Sequence, residues 1–186
     1  GKQTELTLAA NHLGHYLLVK ELWDPTSPAS PRIVSVSSSI HKIASLPSML
    51  DDPAYRSTTT TSQQFSTFGA YARSKLANIW MVLSLRKRGA DAVALHPGNI
   101  TSEVTRGLTF WLRVADYIGR PISPLIRKSC AAGARCQVYL ATTKVPPRAL
   151  YYVHSAPAPH SSDAGNEDLA EQYWALSEAW CGVGRD

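Results

Sequence analysis

The sequence predicts an α/β fold built on a parallel sheet, and three observations carry that expectation. Three short β-branched or apolar runs, residues 32–37, 91–96 and 149–153, alternate with longer segments of helical periodicity. Pro97-Gly98 and Gly89 place turn signals at the joints between them. At 186 residues, with 44% hydrophobic and 18% charged residues, the chain has material for one domain with a real core.

The elements follow in order. Residues 4–23 read as an amphipathic helix, because Leu6, Ala10, Leu13 and Leu17 recur at helical spacing and Leu18 and Leu22 widen the stripe. Residues 24–31 (DPTSPASP) break it with three prolines. The run Arg32-Ile33-Val34-Ser35-Val36-Ser37 reads as a strand ending in Ser37-Ser38-Ser39. Residues 45–67 are loop-rich, and their centre, 57–64 (STTTTSQQ), has the low complexity of an exposed insertion. A helix runs from there to about Arg88, with Leu76, Ile79, Trp80, Val82 and Leu83 among its apolar positions and Gly89 as its stop. Residues 91–96 (DAVALH) form the second strand, closed by Pro97-Gly98. Between 101 and 128 the pattern loses regularity around Phe110, Trp111, Leu112, Val114, Tyr117 and Ile118. Residues 129–141 read as a helix, 149–153 as the third strand and 157–165 as a mobile loop. Residues 166–180 close the chain as an amphipathic helix with Leu169, Tyr173, Leu176 and Trp180 on one face.

Charge and cysteines exclude several functions. The net charge is +5, but the 19 basic residues are scattered and form no stripe, so nucleic acid is not an expected partner. An anionic cofactor or an acidic membrane surface suits the same charge. Cys130, Cys136 and Cys181 are odd in number and lack metal-ligand spacing, as expected of a reduced intracellular compartment, whether cytoplasmic or peripherally membrane-associated. His12, His15 and His96 have no carboxylate or cysteine partners at ligand spacing, so no metal site is expected. There is no signal peptide and no apolar run of membrane-spanning length. The chain begins at Gly1 without an initiator Met, which reads as a fragment or a processed product.

The candidate chemistry lies in Phe68-Gly69-Ala70-Tyr71-Ala72-Arg73-Ser74-Lys75-Leu76-Ala77-Asn78. Tyr71 and Lys75 are four apart in a helical segment, which puts phenol and ammonium on one face, about 5–6 Å apart at Cβ. A free tyrosine, with a pKa of about 10, is a poor proton donor or acceptor at neutral pH. A fixed cation beside it favours the phenolate and makes the hydroxyl usable as a general acid or base. Taken alone, the spacing is equally that of a solvated helix face. Asn11 alone reads as a solvent-facing helix residue, Ser38 as a turn residue and Pro97-Gly98 as an ordinary turn.

Four features in order change that reading: Asn11-His12-Leu13-Gly14-His15, Ile33-Val34-Ser35-Val36-Ser37-Ser38, Tyr71-x-x-x-Lys75-Leu76-Ala77-Asn78, and His96-Pro97-Gly98. Their succession resembles the short-chain dehydrogenases/reductases. Within that superfamily it is most similar to the retinol-dehydrogenase branch and the WW domain-containing oxidoreductases, the latter favoured by His96-Pro97-Gly98-Asn99 and Trp174-Ala175-Leu176-Ser177-Glu178. The resemblance implies an NAD(P)-dependent oxidoreductase acting between an alcohol and a carbonyl on a small lipophilic substrate. It implies Tyr71 as the proton donor or acceptor, with Lys75 lowering its pKa and holding the nicotinamide ribose. It makes Ser38 the group that hydrogen-bonds the substrate oxygen, and Asn11 the holder of a water in a proton relay. Pro97 and Gly98 would shape the turn over the nicotinamide, with Ile100 near the carboxamide and Ser102 near the pyrophosphate. Ligand sites beyond the carboxyl ends of strands give Ser38 and Pro97-Gly98 an independent rationale.

The same family begins with a glycine-rich turn, Thr-Gly-x-x-x-Gly-x-Gly, and an Asn-Asn-Ala-Gly strand, and neither occurs in these residues. Residues 1–186 therefore read as one partial domain, the C-terminal half of a Rossmann-like parallel sheet with about three strands and without the first four. Alone they are expected not to bind dinucleotide usefully, and the coenzyme, NAD or NADP, is not specified. The alternative function is a non-catalytic interaction module pairing through a bare strand edge or a helix. Residues 45–67 and 107–127 are expected to line the substrate site. The Trp111 region leaves peripheral membrane contact open, and a homo-oligomer is open as well.

Overall fold

The computed structural model of the chain describes residues 4–27, 30–44, 49, 66–98 and 129–182. Helix α1 (Leu6–Leu8) passes through a π-helical segment (Ala9–Leu13) into α2 (Gly14–Leu22). Strand β1 (Ile33–Val36) leads into a 3-10 turn (Ser39–Ile43), and the long helix α3 (Thr67–Lys87) is followed by β2 (Ala92–His96). Then come α4 (Cys130–Thr142), β3 (Tyr151–Val153), β4 (Ala156–Pro157), a second 3-10 turn (Asp163–Gly165) and α5 (Glu167–Cys181). The sheet order is β1-β2-β3-β4, with β1, β2 and β3 parallel and β4 antiparallel to β3. The α/β class and the three expected strands are therefore present, in a sheet compatible with part of a Rossmann-like fold.

Strand β2 lies between two parallel neighbours, and its Val93, Ala94 and Leu95 are fully buried. An uninterrupted apolar run suits such a strand, because helices cover both faces of a parallel sheet. Ala92 and Ala94 join the cluster centred on α3 and α5, while Val93, Leu95 and Tyr152 pack with Cys136 and Leu140 of α4.

Helix α3 is the hub. Ser66 caps its start by accepting from the Gly69 N–H at 3.2 Å, and Gly89, at φ 87°, takes the left-handed turn beyond its end. Thirteen of its residues are buried, including Ala70, Leu76, Ile79, Trp80, Val82 and Leu85. A helix covered nearly all round must also satisfy its polar groups, which fixes its neighbours closely. Trp80, 1% exposed, donates its indole N–H to the Asp163 carbonyl at 2.8 Å.

Three expectations change. The leucine stripe of the first helix does not face the core: Leu6, Leu17, Leu18 and Leu22 are exposed, and Leu8, His12 and Tyr16 are buried instead. The inward face is satisfied by specific polar and aromatic partners, His12 by hydrogen bonds and Tyr16 by an edge-on Trp174 at 4.8 Å, which hydrophobicity alone does not signal. Strand β4 was not expected. Its hairpin turns on His154 and Ser155, both at positive φ, without the Asn-Gly pair that usually marks such a turn. Residues 157–165, expected to be mobile, are tied down: Ala158 N–H donates to the Tyr151 carbonyl, Ser161 N–H to His41 and Trp80 to Asp163. In α5 the buried face is Ala170, Tyr173, Trp174 and Ser177, with Leu169, Leu176 and Trp180 packed beside it. The expected 57–64 insertion and the aromatic 107–127 segment lie outside the described residues. Among the described residues no helix is long and apolar enough to cross a membrane.

Burial pushes the His12 pKa down from 6.5 to about 4, against a smaller upward pull from its hydrogen bond to Asn78 and with His15 adding to the depression. The unfolded chain thus takes up a proton near pH 6.5 that the folded chain refuses until about pH 4. Stability is full above pH 6.5 and falls as pH drops toward 4, by about 3 kcal/mol from this group alone. His41, also depressed by burial, adds a loss of the same sign as pH falls below 6.5. Urea denaturation at pH 7.5 and 4.5 checks this, and the pH-dependent difference is expected to shrink in His12→Gln.

Candidate functional site

The site forms where β1 ends against α3. The Val36 carbonyl, the last of the strand, accepts from Lys75 Nζ at 3.1 Å and from Asn78 Nδ2 at 3.3 Å. Ser37, the next residue, donates its hydroxyl to the Lys75 carbonyl at 2.7 Å. Three hydrogen bonds thus fasten the strand end to the turn of α3 that carries Lys75. Beyond them the chain swings into the 3-10 turn, and Ser38 caps it at extended φ −155°, ψ 155°. The Ser38 side chain lies near enough to the Tyr71 hydroxyl to pull its pKa down against burial. Lys75 Nζ lies 5.4 Å from the centroid of the same tyrosine ring. Ser38, Tyr71 and Lys75, far apart in sequence, are therefore one cluster at the carboxyl end of β1.

Burial acts on both titratable groups of the cluster. It raises the Tyr71 pKa, and the nearby Ser38 side chain opposes that rise. Burial also lowers the Lys75 pKa. Lys75 Nζ lies over the same ring and donates to the Val36 carbonyl. The phenol keeps its proton at neutral pH.

Asn11 lies in the π-helical segment and donates its amide to Ser74 Oγ at 3.2 Å, one residue before Lys75. Its own carbonyl accepts from His15 Nδ1 at 2.8 Å. Pro97 and Gly98 follow β2, and Gly98, at φ 87°, holds a backbone conformation that side-chain-bearing residues rarely adopt. A cleft of about 280 Å³ opens beside them, lined by Pro97, Ala132, Arg135, Cys136, His154 and Ser155. Ile100 and Ser102 lie outside the described residues.

Sequence reasoning gave no task to Asn78, His12 or Ser177. Because Asn78 Nδ2 donates to Val36, its Oδ1 must face His12 Nδ1, which therefore donates across 3.3 Å. His12 Nε2 lies 2.9 Å from Ser177 Oγ of α5, whose single proton also faces the Tyr173 carbonyl at 2.8 Å. Asn78 stood in the quoted motif, four residues after Ser74 on the same face, and that spacing was the available signal.

Comparisons agree with this architecture. No family model matches the chain. The human WW domain-containing oxidoreductase is 32% identical over 185 residues, covering 94% of this chain and 43% of that protein. Retinol dehydrogenase 12 of Mus musculus is 32% identical over 186 residues, covering 96% of this chain and 55% of its own length. Dehydrogenase/reductase SDR family member 13 of Bos taurus is 30% identical over 188 residues, covering 96% and 47%. The chain thus spans about half the length of the curated relatives it matches. A crystal structure of an uncharacterized protein from Mycobacterium paratuberculosis superimposes with a TM-score of 0.62 at 25% identity, covering 95% of this chain and 58% of that one.

Tyrosine titration by NMR of 13Cζ-labelled protein checks the electrostatics. Ser38→Ala is expected to raise the Tyr71 pKa further, whereas Lys75→Met moves it less; the reverse order would restore the cation as the controlling group.

Proposed function

We propose that this chain, which is similar to short-chain dehydrogenases/reductases over about half their length, takes part in interconverting an alcohol and a carbonyl on a small lipophilic substrate with NAD or NADP. The observation that carries the reading is Lys75 Nζ held 5.4 Å from the Tyr71 ring at the end of β1, with Ser38 beside the phenol. A bound nicotinamide would supply the hydride. Tyr71, protonated at neutral pH, is the proton donor to the substrate oxygen, and the Ser38 hydroxyl stabilises charge developing there. This protonation state favours carbonyl reduction as the direction for which the free site is ready.

The residues present fit a nicotinamide nucleotide. Lys75 commits one donor to Val36 and has further N–H donors for ribose hydroxyls. Tyr71 would share that contact, Pro97 and Gly98 would shape the turn, and Ile100 and Ser102 continue it in sequence. Asn11, tied to Ser74, would steady the helix turn behind Lys75. The retinol dehydrogenases among the relatives favour a retinoid-like substrate class.

A second reading has its own observation. Among the described residues β1 is paired only with β2, and Leu18 and Leu22 are exposed on the neighbouring helix, so the chain could pair with another polypeptide through that edge. The coding sequence upstream of Gly1 separates the two: a glycine-rich turn in frame supports the oxidoreductase, and a start codon supports the module.

In protein that carries these residues together with a glycine-rich nucleotide-binding half, Tyr71→Phe is expected to lower kcat toward a lipophilic aldehyde by about 10²–10⁴-fold. The nucleotide KM should stay within severalfold. Unchanged turnover would remove Tyr71 from the mechanism.

A further inference from the structure

His41 is 1% exposed in the turn that follows Ser38, and nothing in the mechanism above uses it. Each ring nitrogen faces a group that can play only one part. The Ser161 backbone N–H can only donate, and it meets Nε2 at 3.2 Å. The Ser38 backbone carbonyl can only accept, and it lies 2.6 Å from Nδ1. Neutral imidazole protonated at Nδ1 satisfies both. The other tautomer would set two donors face to face at Nε2 and a bare nitrogen against a carbonyl at Nδ1, and imidazolium would repeat the first conflict. Tyr151 meets the ring at 5.0 Å and 70°, edge to face, so packing holds the imidazole in the same orientation.

We propose that His41 is a positioning residue: it clamps the Ser38 backbone to the Ser161 segment and thereby fixes the Ser38 hydroxyl against Tyr71. What the Ser38–Tyr71 pair accomplishes rests on the oxidoreductase reading, while the clamp does not. The far side of the clamp is itself secured. The Asp163 carbonyl takes the Trp80 indole N–H, and His160 packs so close to Gly165 that a Cβ there would lie 2.8 Å from its Cε1. Residues 158–165 lead straight into α5, whose Ser177 holds His12. The closing segment of the chain therefore reaches the proton-transfer pair through one imidazole.

Long-range 1H–15N spectra of the purified chain read the tautomer directly, and Nδ1–H is expected; an Nε2–H tautomer overturns the proposal. His41→Phe keeps a ring against Tyr151 but loses both bonds, and it should raise the Tyr71 pKa as Ser38→Ala does. His41→Asn keeps a donor near the Nδ1 position, guards against a folding defect in the first variant, and should restore part of the shift. A Tyr71 titration unmoved in folded His41→Phe also overturns the clamp. In protein with the nucleotide-binding half, His41→Phe is expected to lower kcat about tenfold to hundredfold, the size of effect a small misplacement causes. The nucleotide KM should stay within twofold, and an unchanged kcat contradicts the positioning role. Absence of turnover in the wild type, with tautomer and titration as stated, upholds the clamp and overturns the oxidoreductase reading instead.

Discussion

The carbonyl of Val36 is the point on which the rest of the structure depends. It ends β1, and it accepts from both Lys75 and Asn78 of α3. Through Asn78 the bond continues to His12 in the π-helical segment, and through His12 to Ser177 in α5. Strand, central helix, first helix and closing helix therefore meet in a single network, exposed at Val36 and buried at His12 and Ser177. A buried polar group left without a partner costs about 1–3 kcal/mol, so each member fixes the position of the next. Apolar packing around Trp80 and Tyr173 supplies bulk stabilisation, and the polar network selects one arrangement of the packed elements.

That arrangement sets the chemistry. With α3 fastened to the end of β1, Lys75 cannot move away from Tyr71 without giving up the Val36 carbonyl, and Ser38 emerges from the strand opposite the phenol. Burial acts on both titratable groups in the direction of neutrality, raising the phenol and lowering the ammonium. Under the proposed function, the cluster would serve as a proton donor with a hydroxyl partner. The duty of the cation that the structure shows is toward the Val36 carbonyl; the proposed function adds ribose hydroxyls for its remaining donors.

Much of this was legible in the residues. Alternating strand and helix patterns located β1, β2, β3 and the helices, because a doubly covered parallel sheet writes long apolar runs into its strands. Ser38, Tyr71 and Lys75 were legible as a motif, and they do converge. The outward turn of Leu6, Leu18 and Leu22 was not legible, since periodicity identifies an apolar face without saying which face has a partner. Nor was β4, two residues long and turned by His154 and Ser155. The contacts of His12 and His41 were not legible for a common reason: a histidine's role depends on which groups meet its two nitrogens, and Ser177 and Ser161 lie over a hundred residues away.

Isotope transfer tests the central claim most directly. Protein carrying these residues with a glycine-rich nucleotide-binding half would be given a lipophilic aldehyde and NADPH or NADH deuterated in turn on each face of the nicotinamide C4. The account predicts an alcohol bearing deuterium on the carbinol carbon from one face of one nucleotide. Nucleotide that binds but leaves no deuterium in any alcohol product would contradict it.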